Sequence, residues 1–195
     1  HFLIKIEQQI LYFMKFLKTK LHNAYIIELE KNEDERGFFA RLWDKKIFSE
    51  LGLNSKIVQC NVSTNKFNGT IHGMHYQTIP FTEVKIVRCT KGRIQDIIID
   101  LRKNSKTFMK WFSIELNEDN YKMMYVPEGF AHGFQSLEDN VEIIYFVSEF
   151  YSPKSEKGIR WDDKAFKIKW PIEQIIVSKK DQLWKPFNEK TDGLN

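Results

Sequence analysis

Titratable side chains lie on apolar strand faces at several points in the sequence. Side chains alternate faces along a strand, so residues two apart share a face. Four polar residues on separate segments have apolar neighbours on their own face, and a histidine on a further segment adds a fifth group. They are Lys85 in EVKIVRC, Asp96 in RIQDIIID, His132 in FAHGF, Tyr145 in VEIIYFV and His75 in GTIHGMHYQ. A core histidine or tyrosine often only satisfies hydrogen bonds, but so many buried polar groups together predict a site inside a barrel.

This set of residue types favours proton transfer. A histidine can remove a proton, a lysine can stabilise negative charge that develops on an oxygen, and a tyrosine can return a proton. The sequence holds no GxSxG nucleophile elbow, no P-loop and no GxGxxG turn. Proton abstraction next to a carbonyl therefore suits these residues better than hydrolysis does.

A metal site is the main alternative for the histidines. His72, His75 and His132 could supply three imidazole ligands. On a regular strand, however, residues three apart point to opposite faces, so His72 and His75 could act together only if Gly73 marked a bulge. No glutamate lies beside them as a fourth ligand, because Glu83 comes eight residues later. We therefore expect no metal.

Short segments rich in Val, Ile, Phe and Tyr recur along the chain, and turn residues separate them. A short helix is predicted at Asp44–Leu51, and another after Ser178, which resembles an N-cap. Strands without intervening helices predict an all-β antiparallel sandwich or barrel. The predicted strands lie near residues 56–63, 69–77, 83–90, 93–101, 108–116, 122–126, 131–137 and 141–148.

Composition excludes several classes of protein. The chain has 195 residues, 42% of them hydrophobic and 29% charged, which is enough to bury a core. Its net charge of +4 comes without a basic run, so we expect no nucleic-acid partner. It contains no uninterrupted apolar stretch of about 18 residues, so we expect no membrane partner. Cys60 and Cys89 have no CxxC spacing and fit a reducing cytosol, although a single bridge between them stays possible.

The organisation of the chain predicts one domain. Residues 1–13 are interrupted by polar residues, and Met14 resembles a natural start, so we interpret 1–13 as a possible extension. Residues 14–195 show no repeat and no low-complexity segment. We expect them to form a single domain.

Several separate stretches between about Asn23 and Pro186 resemble the dTDP-4-dehydrorhamnose 3,5-epimerase family of the cupin superfamily. These stretches are DERGFFAR, VQCNVS, GTIHGMHYQ, KIVRCTKGRIQDIIIDLRKNSKTF, YVPEGFAHGF, FYSP, GIRWDD and SKKD. The resemblance implies a cupin double-stranded β-helix, a jelly-roll barrel with short flanking helices. It also implies a homodimer without metal or cofactor that acts on a nucleotide-linked 4-keto-6-deoxyhexose made for surface polysaccharide.

By this resemblance, four residues carry the reaction. His75 corresponds to the general base, and Asp181 to the carboxylate that orients it. Lys85 would hold the enolate, and Tyr145 would deliver a proton from the opposite face. From the residue pattern alone, Asp181 is better interpreted as a solvated residue at the start of a helix.

Further positions correspond to substrate contacts in the family. Arg36 is expected to reach across the dimer, and Tyr151 to border the sugar nucleotide. The substrate-binding residues implied in this way are Arg36, Gln59, Asn61, His72, Asp96, His132 and Tyr151.

The chain departs from the family pattern at two positions. His72 stands where the family usually has arginine, near the sugar and the diphosphate, and histidine cannot make the bidentate fork that arginine offers to phosphate. Arg41 stands where many members have glutamate, which reverses a charge near the nucleotide. These departures leave open the nucleotide and whether C3 alone or both C3 and C5 are inverted.

The sequence thus predicts a cytoplasmic nucleoside-diphosphate-4-keto-6-deoxyhexose 3- or 3,5-epimerase. A related 3,4-ketoisomerase, which would return the proton on the same face, is one alternative. A non-catalytic cupin that binds sugar nucleotides is the other.

Overall fold

A computed structural model of the protein describes residues 14–195. The prediction that residues 1–13 are an extension lies outside this range, and the single domain at 14–195 stays a prediction. The helices are α1 (Lys45–Glu50) and α2 (Lys179–Gln182). The strands are β1 (Met14–Lys18), β2 (Tyr25–Leu29), β3 (Asn32–Asp34), β4 (Gly37–Phe39), β5 (Gln59–Asn65), β6 (Thr70–Gln77), β7 (Lys85–Lys91), β8 (Arg93–Asp100), β9 (Trp111–Asn117), β10 (Met123–Val126), β11 (Phe130–Ser136), β12 (Val141–Val147), β13 (Glu156–Gly158) and β14 (Ile176–Val177).

Two antiparallel sheets form the barrel. The first has the order β1-β2-β10-β7-β12-β5, and the second has the order β13-β6-β11-β8-β9 with β14 parallel to β6. From β5 to β12 the chain passes between the sheets at nearly every connection, except for the β8–β9 pair. This is the predicted jelly roll, and the eight predicted strands correspond in order to β5–β12.

Strand alternation places the predicted polar residues inside the barrel. Ile94 and Ile98 of β8 and Phe130 and Phe134 of β11 all belong to the cluster between the two sheets. Asp96 and His132 lie between these pairs, so they share the inward face, as predicted.

Each sheet is also covered on its outer face. On the first sheet, Met14 and Ile27 pack against Phe48 of α1. On the second sheet, Trp111 packs against Phe166 of the carboxyl-terminal segment. Burial on both faces explains why β8 carries three consecutive isoleucines at 97–99, all of them fully buried.

The short helices form where the sequence predicts them. The carboxylate of Asp44 accepts the backbone N–H groups of Lys46 and Ile47, at 2.9 and 3.4 Å, and so caps α1. Ser178 caps α2 by accepting the backbone N–H of Asp181 at 3.0 Å.

Candidate active site

Two adjoining pockets open between the sheets and share His75, Lys85 and Tyr145. The first, the histidine pocket, has a cavity volume of about 100 Å³ and is also lined by His72, His132 and Phe134. The second, the glutamate pocket, has a cavity volume of about 390 Å³ and is also lined by Gln59, Asn61, Glu83, Tyr151 and Glu156. Of the five side chains predicted to converge, His75, Lys85 and Tyr145 meet at the boundary of the two cavities and His132 lines the first, whereas Asp96 lines neither.

His75 on β6 is paired with Asp181 on α2. Its Nε2 lies 2.5 Å from Oδ1 of Asp181, across 106 positions of sequence. Asp181 is 3% exposed, so its interpretation as a solvated residue at the start of a helix is wrong. The cap of α2 turns this carboxylate inward, toward the imidazole.

The environment of Asp181 keeps it ionised. Burial alone would raise the pKa of its carboxyl, but hydrogen bonds with His75, Trp184 and Ser178 and the charge of His75 outweigh burial and lower that pKa to about 2. An ionised carboxylate can only accept, so Nε2 of His75 carries the proton and donates it. The other ring nitrogen, Nδ1, is then the basic atom available for chemistry.

A backbone irregularity at Gly73 brings His72 and His75 to the same pocket. In the β6–β11 pairing, His75 lies opposite His132 and His72 lies opposite Phe134. Three residues along β6 therefore correspond to two along β11, which is a β-bulge. Gly73 has a φ of +101°, and a Cβ there would lie 2.6 Å from the carbonyl oxygen of His132. Only glycine fits this close approach. The bulge at Gly73 that would allow His72 and His75 to face the same pocket is therefore present.

Lys85 and Tyr145 lie on the first sheet, across the pocket from the bulge at Gly73. Nζ of Lys85 is 3.2 Å from Oε1 of Glu83, and both side chains are largely buried. Burial and the charge of Glu83 raise the pKa of Tyr145, so its phenol is protonated at neutral pH. The histidines thus occupy the second sheet and the tyrosine the first, on opposite walls of the cavity.

A second histidine–carboxylate pair consists of His132, which lines the histidine pocket, and Asp96 behind it. Nε2 of His132 is 2.7 Å from Oδ1 of Asp96, whose side chain is fully buried. Oδ2 of Asp96 has no hydrogen-bond partner among the described residues. Asp96 thus orients His132 and does not itself line either pocket.

His72 lines the histidine pocket as a neutral group. Its ring stacks on Phe134, with centroids 5.0 Å apart and an interplanar angle of 8°. Burial, and then the charge of His75, lower the pKa of His72, while Asp181 opposes the shift. This imidazole therefore offers hydrogen bonds and an aromatic face, but no charge, at neutral pH.

The remaining predicted contacts divide into two groups. Gln59, Asn61 and Tyr151 line the glutamate pocket, and the backbone N–H of Tyr151 donates to Oε1 of Gln59 at 3.2 Å. Arg36 lies elsewhere, on the β3–β4 hairpin, with 83% of its side chain exposed and Asp34 as its ion-pair partner. Arg41 pairs with Asp44 at 3.0 Å and is not among the residues that line either pocket.

Sequence reasoning missed two acidic residues of the site. From the sequence, Glu83 is weighed only as a metal ligand, although it lies two positions before Lys85 and lines the same pocket. Glu156 accepts the hydroxyl of Tyr151 at 2.7 Å and pairs with Lys180 at 2.5 Å, so it connects the pocket to α2. Glu156 reaches the glutamate pocket only because β13 pairs with β6, and no sequence pattern predicts its presence there.

Within residues 14–195, no three His, Cys, Asp or Glu side chains are grouped so that they could hold a metal ion. Over the same range, neither helix has the length and apolar character needed to span a bilayer.

Solved structures with the same fold define the class of protein. The dTDP-4-dehydrorhamnose 3,5-epimerase of Elizabethkingia anophelis is similar with a TM-score of 0.87 and 41% identity, covering 89% of this chain and 96% of that one. The corresponding enzyme of Bacillus anthracis, with TDP and PPi bound, gives a TM-score of 0.86 at 38% identity and covers 89% and 99%. The fold is that of a cupin jelly-roll sugar epimerase, an enzyme of the isomerase class.

Sequence comparison identifies the family. The model of the dTDP-4-dehydrorhamnose 3,5-epimerase family matches residues 18–189. The curated dTDP-4-dehydrorhamnose 3,5-epimerase of Methanothermobacter thermautotrophicus is 42% identical over 178 residues, 90% of this chain and 95% of the relative. The chain belongs to the dTDP-4-dehydrorhamnose 3,5-epimerase family, which confirms the predicted family and fold.

Proposed function

We propose that the protein inverts C3 and C5 of a thymidine-diphosphate-linked 4-keto-6-deoxyhexose by proton removal and return. The observation that carries the proposal is the pair formed by His75 and Asp181, which faces Tyr145 across one cavity. A base on one wall and an acid on the opposite wall are what inversion at a carbon requires.

The first step is proton abstraction by His75. Nδ1 takes the proton from the carbon next to the C4 ketone, and the electron pair of the broken C–H bond forms the enolate. Asp181 holds the ring and stabilises the imidazolium that results. The enolate oxygen carries the negative charge, and Lys85 offers the ammonium that stabilises it, with His132 as a further donor.

The second step is proton return from the other wall. Tyr145 donates its phenolic proton to the opposite face of the same carbon, which inverts the centre. Tyr145 then regains a proton from solvent, and the His75 imidazolium releases its proton to solvent. Its raised pKa supports this role, because the phenol stays protonated at neutral pH.

The glutamate pocket suits the nucleotide end of the substrate. Gln59, Asn61 and Tyr151 supply amide and aromatic groups there. The structure of the Bacillus anthracis relative with TDP and PPi supports thymidine diphosphate as the carrier. His72 would contact the sugar or the diphosphate as a neutral hydrogen-bonding group.

We further propose a homodimer in which Arg36 completes the partner's site. The β3–β4 hairpin exposes Phe38 and Phe39, at 40% and 60%, beside Arg36. An apolar hairpin with an exposed arginine suits a face that is covered by a second copy and that reaches a phosphate. Sedimentation should show a dimer, and Arg36→Ala should raise KM more than it lowers kcat.

The product would supply deoxysugar for surface polysaccharide such as an O-antigen, and the enzyme would work in the cytoplasm. Cys60 and Cys89 are both free thiols, which suits a reducing compartment.

Proton NMR in deuterated buffer tests the function, with TDP- and CDP-linked 4-keto-6-deoxyglucose in parallel. Deuterium at both C3 and C5 of an epimerised product, with TDP preferred, is the expected result. Deuterium at C3 alone would show a 3-epimerase. Movement of the carbonyl would show a ketoisomerase, and binding without exchange would show a binding module.

A further inference from the structure

Glu83 places a carboxylate in the active site that the proposed reaction leaves without a role. Its Oε1 lies 3.2 Å from Nζ of Lys85, and the two side chains are 12% and 14% exposed. Both line the glutamate pocket together with Tyr145. An ion pair with so little solvent around it is screened far less than a surface pair.

Two hydrogen bonds with Ser148 fix the backbone of Val84, which lies between Glu83 and Lys85. The N–H of Val84 donates to Oγ of Ser148 at 2.8 Å, and its carbonyl accepts the N–H of Ser148 at 3.1 Å. Val84 is 4% exposed and packs on the outer face of the sheet. Glu83, two residues before β7 begins, and Lys85, its first residue, therefore both face the glutamate pocket, where they meet.

We propose that Glu83 is a positioning residue for epimerisation: its carboxylate holds the Lys85 ammonium on the tyrosine wall of the cavity, where the enolate oxygen forms. The inference rests on the proposed function. A lysine side chain has four rotatable bonds, so its ammonium stabilises a developing charge best when a neighbour fixes its place.

The same carboxylate acts on Tyr145. Burial and the charge of Glu83 raise the pKa of Tyr145, and both effects keep the phenol of Tyr145 protonated. Removing the charge at Glu83 should lower this pKa and move the basic limb of the kcat/KM profile to lower pH. The titratable groups that line the two pockets around Tyr145 are His72, His75, Tyr76, Glu83, Lys85, His132, Tyr151 and Glu156.

The test compares Glu83→Gln, which removes the charge, with Glu83→Asp, which keeps it. Glu83→Gln should lower kcat about tenfold with KM changed less than about twofold, and Glu83→Asp should recover most of the loss. Glu30→Gln is the matched control, because Glu30 pairs with Lys15 at 2.8 Å on β1 and lines neither pocket. It should leave kcat unchanged.

NMR of tyrosine labelled with carbon-13 provides a second readout, with the Tyr145 signal assigned by its loss in Tyr145→Phe. In Glu83→Gln, Tyr145 should titrate at lower pH than in the wild type. Unchanged kcat in Glu83→Gln would overturn the inference, as would an equal loss in Glu83→Asp with an unchanged Tyr145 titration. An inactive wild type would overturn the proposed function and this inference together, whereas an active wild type with an indifferent Glu83→Gln would overturn this inference alone.

Discussion

Nε2 of His75 lies 2.5 Å from Oδ1 of Asp181, and this contact joins the central barrel strand β6 to the short carboxyl-terminal helix α2. Asp181→Asn keeps the size of the side chain but removes its charge, so it no longer stabilises the imidazolium. We expect kcat to fall by about 10²–10³-fold, as measured by steady-state epimerisation.

Asp162→Asn is a suitable control for this change. Asp162 is 48% exposed in its side chain and pairs with Arg160 at 2.8 Å, outside both pockets. Equal losses in the two variants would show that Asp181 has no special part in turnover.

The lowered pKa of Asp181 also predicts how stability depends on pH. The folded-state pKa of about 2 is below the ordinary value of 3.8, so the ionised group stabilises the folded state above pH 3.8. This contribution, on the order of 2 kcal/mol, should disappear as pH falls through the folded-state value. Urea unfolding of the wild type and Asp181→Asn should therefore give a difference in unfolding free energy that shrinks between pH 4 and pH 2. A difference that is constant over this range would contradict the assignment.

Tyr145→Phe should separate proton removal from proton return. His75 is intact in this variant, so the enolate still forms and the C3 hydrogen still exchanges with solvent. Without the phenol, return from the opposite face is lost, so epimerised product should fall by about 10²-fold or more while exchange into unchanged substrate continues. Mass spectrometry of the recovered substrate and product measures both quantities. Loss of both together would place Tyr145 in the first step.

Gly73→Ala should damage the site through the backbone. At a φ of +101°, the new Cβ would lie 2.6 Å from the carbonyl oxygen of His132 and 2.9 Å from Cα of Gly133. Strand β6 must then shift, and both His72 and His75 move with it. We expect a loss of about 2–4 kcal/mol in unfolding free energy, together with loss of activity.

Gly52→Ala isolates the cost of the positive φ for this experiment. Gly52 has a φ of +68°, but a Cβ there meets nothing within 4 Å. This variant should lose about 1 kcal/mol and keep its activity. Similar losses in the two glycine variants would exclude the steric explanation.

The sequence predicts the barrel because period-two alternation and turn residues are local signals. The same alternation places Asp96 and His132 correctly, since each lies between apolar residues that enter the core between the sheets. Family resemblance was needed for Asp181, because the contact with His75 spans 106 positions and a lone aspartate near a helix start usually faces solvent. Glu156 reaches the site only through the packing of β13 on β6, for which the sequence carries no pattern.

The general-base role of His75 is the central claim, and hydrogen exchange tests it most directly. In deuterated buffer, wild-type protein should replace the C3 hydrogen of TDP-4-keto-6-deoxyglucose, whereas His75→Asn should do so more slowly by about 10³-fold or more. Binding of TDP to His75→Asn, measured by calorimetry, should stay within about threefold of wild type, because the base contributes little to holding the nucleotide. Exchange in His75→Asn at the wild-type rate would contradict the account.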